Sequence, residues 1–242
     1  TQFNQKLTNC YQDYNSMKTK LISYSQGSNA SLGDIESPLD LIAYCARVSN
    51  PENQANTTTN EKLVKYLIKH KHWSPLEMVS ACIEIETTRD IARQILRHRS
   101  FSFQEFSQRY ADPTQDLSFE IRDARLQDPV NRQNSIELDP EMDGHAVLQG
   151  EWKNKQQRVI DASLEAYNWA VSKGIAKEQA RAVLPEGNTV SRMYMNGTLR
   201  SWVHYIELRG ANGTQQEHMD IAHAIAKVIA EIFPLIEDIQ TT

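Results

Sequence analysis

The chain of 242 residues has no apolar run near the roughly 20 residues that a membrane-spanning helix requires. Its polar opening, Thr1-Gln2-Phe3-Asn4, has no charged-then-apolar leader pattern, so no membrane partner and a cytoplasmic location are expected. Cysteine is scarce. Cys10, Cys45 and Cys82 lie far apart and form no Cys-x-x-Cys pair, which suits a reducing compartment and offers no framework for disulfides or zinc. No Gly-x-Gly-x-x-Gly follows any strand candidate, so the usual phosphate cradle of dinucleotide folds is missing. Broad basic charge is missing too. A formal net charge of -5 and a pI near 5.8 argue against nucleic acid, because binding to phosphate backbones needs an extended basic surface.

What is present is one focus of positive charge. From Arg89 to Arg109, five arginines stand against only Asp90 and Glu105, a local charge of +3 with neutral histidine. Guanidinium groups at this density repel unless an anion sits among them, and paired N–H donors suit phosphate or carboxylate. A solvated basic turn would look the same from charge alone. His70 and His72 stand two apart, but no acidic or cysteine ligand follows at a usual spacing, and no metal is expected.

Periodicity places the rest. Residues 1–20 read as a polar arm and 21–242 as one domain, with a short strand at Leu21–Tyr24. Ser37-Pro38 is a favoured helix start, with Leu41, Ala43, Tyr44 and Val48 as the buried side. A second helix is expected from about Thr59 through Leu63, Tyr66 and Leu67 to His70. Val79, Ala81, Ile83 and Ile85 alternate with polar residues and predict a half-buried strand. Thr88 is expected to cap a helix to about Arg97. Residues 100–108 fit neither period; if they are extended, Ser107 and Arg109 share a face. Residues 111–145 read as a long loop with one strand at Leu117–Ile121. Helices follow at 151–172, 177–184, 198–208 and 215–233, with a strand at 189–195.

Arg97-His98-Arg99, seven residues and then Ser107-x-Arg109 resembles the defining motif of the flavin-dependent thymidylate synthases. His72-Trp73-Ser74-Pro75-Leu76-Glu77, Ala180-Arg181-x-Val183-Leu184-Pro185 and Leu199-Arg200-Ser201 through Glu207-Leu208-Arg209 resemble further elements of that family, in the same order. The resemblance spans roughly 37–235. It departs from the family pattern at Gln104, Met78 and Thr198.

The resemblance implies an α+β fold, with an antiparallel sheet flanked by helices in a single compact domain. It implies a homotetramer with active sites at subunit junctions. It also implies reductive methylation of dUMP to dTMP, with FAD as cofactor and NADPH and 5,10-methylenetetrahydrofolate as co-substrates. Carried over by position, Ser74, Arg97, His98, Arg99, Glu105, Thr198, Leu199, Arg200 and His204 are expected to meet FAD. Gln94, Ile95, Leu96, Arg97, Glu105, Phe106, Ser107, Gln108, Arg109, Arg181 and Arg209 are expected around dUMP, with Arg209 and Ser107 as the catalytic pair. Gln104 leaves a second possibility, a flavin-dependent relative that acts on another pyrimidine nucleotide. A non-catalytic nucleic-acid-binding module is the third, and the acidic chain speaks against it.

Overall fold

The alternating segment around Ile83 forms the centre of the molecule. The computed structural model describes residues 18–28, 35 and 37–236. Along the chain, β1 (Lys18–Tyr24) precedes α1 (Pro38–Ala46), α2 (Asn60–Lys69), a 3-10 turn (Ser74–Met78), β2 (Ser80–Thr88), α3 (Arg89–Ile95) and β3 (Ser102–Glu105). Next come the short α4 (Pro113–Asp116), a hairpin of β4 (Arg125–Gln127) and β5 (Ser135–Glu137), and the long α5 (His145–Ser172). The chain then forms α6 (Lys177–Ala180), a 3-10 turn (Arg181–Val183), β6 (Val190–Thr198), α7 (Leu199–Arg209) and α8 (Gln216–Ala230).

Four strands make one antiparallel sheet in the order β1-β2-β6-β3. β2 and β6 pair along their whole length, from Ser80 opposite Thr198 to Thr88 opposite Val190. Because side chains alternate along a strand, one sheet face collects Ala81, Ile83, Ile85, Met193 and Met195, all buried. These join α3, α7 and α8 in the main core. Ile221, Ile225 and Ile229 of α8 are fully buried there, each contributing on the order of 2 kcal/mol by area. Trp202 is fully buried and donates its indole N–H to the Ala81 carbonyl at 3.1 Å. The other sheet face carries the row Lys20, Glu84, Tyr194 and Gln104, which lie opposite one another across four strands and stay exposed or half-buried. The α+β architecture implied by the resemblance is therefore the one observed.

Helix starts agree with their chemistry. Ser37 Oγ accepts from the Asp40 amide at 3.2 Å, with Pro38 in the first helical position. Thr198 Oγ1 accepts from the Ser201 amide at 3.3 Å, so the strand β6 ends in the cap of α7 with no loop between them. Thr88 departs from the expected cap: its hydroxyl donates to Asp90 Oδ1 at 2.6 Å instead.

Several expectations change. β1 begins at Lys18, inside the segment read as an arm; residues 1–17 lie outside the described residues. In α1 the buried side is Pro38, Ile42 and Ala43, and Val48 lies past the helix end, 69% exposed. In α2, Val64 and Leu67 turn inward with Asn60, while Tyr66 is exposed and stacks on His70 at 4.2 Å between centroids. Leu117–Ile121 is not a strand. It meets the chain as that enters β6: Phe119 bridges Thr189, Val190 donates to the Ser118 carbonyl and Glu120 to the Asn188 carbonyl. The β4–β5 hairpin was not expected, and α5 starts six residues early, at His145. α5 packs through Ile160, Tyr167 and Ala170 onto Phe119, Ala180 and Leu184 in a second, smaller cluster. No helix among the described residues is long and apolar enough to cross a membrane.

Candidate active site

Two helices deliver the motif residues. α3 ends at Ile95, and a tight turn follows in which the His98 amide donates to the Ile95 carbonyl at 3.0 Å. That turn points His98 inward, edge-on to Tyr205 at 4.9 Å between ring centroids, and leaves Arg97 and Arg99 exposed. Among the described residues neither arginine is in an ion pair. The turn is tied to α7 through Ser201 Oγ, which donates to the Ser100 carbonyl at 3.2 Å.

At the start of α7, Arg200 pairs with Glu77 from the 3-10 turn that opens with Ser74. His204, one turn further, stands edge-on to Trp73 at 4.8 Å between centroids. The Trp73–Glu77 segment that contains Ser74 is thus tied to Arg200 and His204 on α7, the helix that also holds the Ser100 carbonyl. Leu199 is fully buried and its amide donates to the Val79 carbonyl at 2.8 Å, so neither its side chain nor its N–H is open to a ligand. Ile95 is also fully buried, and the Phe106 amide donates to the Arg192 carbonyl at 2.8 Å.

The last turn of α7 carries Arg209, whose Nε donates to His98 Nε2 at 2.9 Å. The fold thereby joins residues 111 positions apart. Burial, then the Arg209 and Arg97 charges, hold the His98 pKa below its ordinary value. Glu105, at the end of β3, accepts from Ser191 Oγ at 2.7 Å and pairs with Arg89 at 3.5 Å.

A second group forms from the residues that follow Glu105 in the chain. Ser107 to Tyr110 is a turn, with the Tyr110 and Ala111 amides donating to the Ser107 carbonyl at 3.1 Å, so the extended arrangement is not adopted. Arg109 reaches the Glu178 carboxylate at 3.6 Å, and Arg181 Nε donates to the Glu178 carbonyl at 3.3 Å. Two arginines 72 residues apart in sequence thus converge on one residue of α6. Gln108 is 4% exposed, and its Nε2 is buried without a hydrogen-bond partner among the described residues. No ion pair among the described residues connects this group with His98 and Arg209. Burial raises the thiol pKa of Cys45 and Cys82, which keeps both protonated and poorly nucleophilic.

Sequence reasoning missed the partners behind these groups. Tyr205 lies one helical turn before Arg209, and its hydroxyl meets His218 Nε2 at 3.0 Å. His218 Nδ1 lies 3.3 Å from Gln94 Oε1. The signal was available: Glu217 and His218 sit within the apolar stripe of α8, and buried polar groups must be partnered.

A family model described as thymidylate synthase complementing protein matches residues 32–235. The chain is 49% identical over 220 residues to a probable flavin-dependent thymidylate synthase of Paramecium bursaria Chlorella virus 1, covering 91% of this chain and 97% of that one. It is 46% identical over 221 residues to the flavin-dependent thymidylate synthase of a Synechocystis strain, with the same coverage. Among solved structures, a UMP/dUMP methylase PolB from Streptomyces cacaoi bound with 5-Br dUMP has a similar fold, with a TM-score of 0.76, 23% identity and 96% of each chain covered.

Proposed function

This chain belongs to the flavin-dependent thymidylate synthase family, enzymes that convert dUMP to dTMP, and from that premise we propose how its residues divide the work. The observation that carries the division is the hydrogen bond from Arg209 to His98. It joins the turn assigned to the flavin to the cation assigned to the pyrimidine.

The residues present fit a flavin dinucleotide. Arg97 and Arg99 offer two exposed guanidinium groups for a pyrophosphate, and Arg200 is held by Glu77 beside Ser74 and His204. Such forks can replace a glycine-rich cradle, since they supply charge and paired donors together. FAD, when bound, supplies the hydride chemistry, renewed from NADPH, while 5,10-methylenetetrahydrofolate supplies the carbon.

The chain's own residues bind and orient dUMP. Arg109 and Arg181, which already share Glu178, hold the phosphate with the Ser107 hydroxyl, and Gln108 turns its free amide to the nucleotide. Gln94 and Glu105 face the base and sugar. Methylation builds negative charge on the pyrimidine near N3 and its carbonyls. Arg209, fixed by His98, lowers the energy of that charge as it develops. No ion pair among the described residues ties Arg109 and Arg181 to His98 and Arg209, which supports a homotetramer with sites completed at subunit junctions.

Purified protein is expected to be yellow, to form dTMP from dUMP, methylenetetrahydrofolate and NADPH under low oxygen, and to have four times the chain mass in solution. Colourless protein that neither binds added FAD nor makes dTMP overturns the reading. A monomer in solution overturns the shared sites alone.

A further inference from the structure

Behind Gln94 runs a directional chain of hydrogen bonds that the division of labour above does not use. Glu217 is 3% exposed, and its carboxylate pairs with Arg125 of the β4–β5 hairpin. The other carboxylate oxygen accepts from Gln215 Nε2 at 2.8 Å. Gln215 Oε1 in turn accepts from Gln94 Nε2 at 2.8 Å. With its nitrogen so placed, Gln94 must present Oε1 to His218 Nδ1 at 3.3 Å, and a carbonyl oxygen can only accept. His218 therefore carries its proton on Nδ1, which leaves Nε2 to accept from the Tyr205 hydroxyl at 3.0 Å. His218 is fully buried and neutral, because burial and the nearby Arg209 and His98 disfavour a second proton.

An amide is nearly symmetrical in shape, so packing cannot distinguish its oxygen from its nitrogen. Only hydrogen bonding does so. Here the buried anion Glu217 fixes Gln215, Gln215 fixes Gln94 from one side, and His218 fixes it from the other. We propose that His218 is a positioning residue for thymidylate synthesis: through Nδ1 it locks the Gln94 amide in the orientation that meets dUMP, in a relay anchored at Glu217. This rests on the reading that Gln94 contacts dUMP. It also gives the β4–β5 hairpin a task, because Arg125 holds the charge at the end of the relay. Tyr205 connects the far end to Arg209, four residues on in α7 and bonded to His98.

Two substitutions separate positioning from mere space-filling. In His218→Asn the side-chain amide N–H can take the place of Nδ1 and keep the bond to Gln94. In His218→Gln the amide reaches the Nε2 position instead, keeping Tyr205 and losing Gln94. The holoenzyme variants are assayed for KM and kcat with dUMP, for flavin content and for melting temperature. His218→Gln is expected to raise the dUMP KM about tenfold, the value of one lost hydrogen bond near 1.4 kcal/mol, while His218→Asn stays within about threefold of the parent. Flavin content should not change. Gln215→Met breaks the same relay at a half-buried position and should raise KM likewise, which keeps the test available if a core variant fails to fold. If both His218→Gln and Gln215→Met keep the parental KM, or if His218→Asn falls as far as His218→Gln, the relay is overturned. Gln94→Ala serves as the reference. A raised KM there with unaffected relay variants removes only the positioning role, whereas an unchanged KM in Gln94→Ala removes the dUMP reading of Gln94 and the proposal with it.

Discussion

Arg209 Nε donates to His98 Nε2 at 2.9 Å, and this one bond defines the state of both side chains. A guanidinium has no acceptor, so the imidazole nitrogen facing it must carry a lone pair. His98 is therefore neutral with its proton on Nδ1, and the cation is aimed rather than free to swing. The depressed pKa of His98 agrees with this arrangement, since burial and two neighbouring guanidinium groups all disfavour imidazolium.

Arg209→Ala should leave flavin bound, because the exposed guanidinium groups of the Arg97–Arg99 turn are untouched. Turnover should fall at least about 100-fold, the usual loss when a preorganised group facing developing charge is removed. Flavin absorbance and single-turnover dTMP formation, measured on one preparation, check both halves. Near-normal turnover would sink the assignment of Arg209 to the pyrimidine.

His218 sets an acid limit on stability. Its folded pKa is pushed down to about 3 from an ordinary 6.5. The fold thus favours the neutral ring, and the stabilisation is present above pH 6.5 and lost as pH falls toward 3. A loss on the order of 4 kcal/mol over that window is expected from this group. Urea melts across the range should show a steep acid limb that becomes shallower in His218→Asn, which has nothing to protonate. A limb unchanged in that variant would assign the acid sensitivity to other groups.

Glu120 acts with the opposite sign. Burial raises its pKa to about 7, with Glu217 and Asp90 adding to the shift and Arg122 opposing it. Its contribution is present below about pH 4.5 and lost as pH rises through 7. Glu120→Gln is therefore expected to gain on the order of 2 kcal/mol at pH 8 and almost nothing at pH 4. Thermal melts at those two values decide it; equal gains at both would show that the charge is not the cause.

Gly197 lies against the aromatic floor beneath the motif. A Cβ there would sit 2.4 Å from Cδ1 of Phe101, whose ring stands edge-on to Trp202 at 4.7 Å between centroids. The tip of Phe101 cannot swing freely, since Phe103 and Tyr205 also flank it. Gly197→Ala should cost about 1–3 kcal/mol, as overpacked cores do. It should also shift the fluorescence of the buried Trp202. A variant as stable as the parent would mean that the ring relocates without cost.

The elements that the sequence predicts well are those whose period is set by one large core. β2, α7 and α8 bury the residues their spacing selects, Ile83, Trp202 and Ile225 among them. The errors cluster where burial is local. Val48 lies just past the end of α1, outside the helical period that selects it, and the β4–β5 hairpin carries too little apolar alternation to announce itself. For the site, the resemblance located residues that the fold gathers at Arg200 with Glu77, at His98 with Arg209, and at Arg109 with Arg181 through Glu178. It could not reveal His218, Gln215 and Tyr205. The apolar stripe of α8 marks His218 as a buried polar group, but the partner it meets, Gln94, lies more than 100 residues away and no local pattern names it.

The direct join of β6 to α7 at Thr198 turns that helix into a ruler with a fixed phase. With no loop to absorb an error, every residue of α7 is counted from the end of the strand. Arg200 and Arg209 are separated by nine residues, roughly 14 Å along the axis and about half a turn apart around it. The helix therefore shows Arg200 to one side and Arg209 to nearly the opposite side. One residue inserted between them would rotate Arg209 about 100° away from His98 without disturbing the arginine before it.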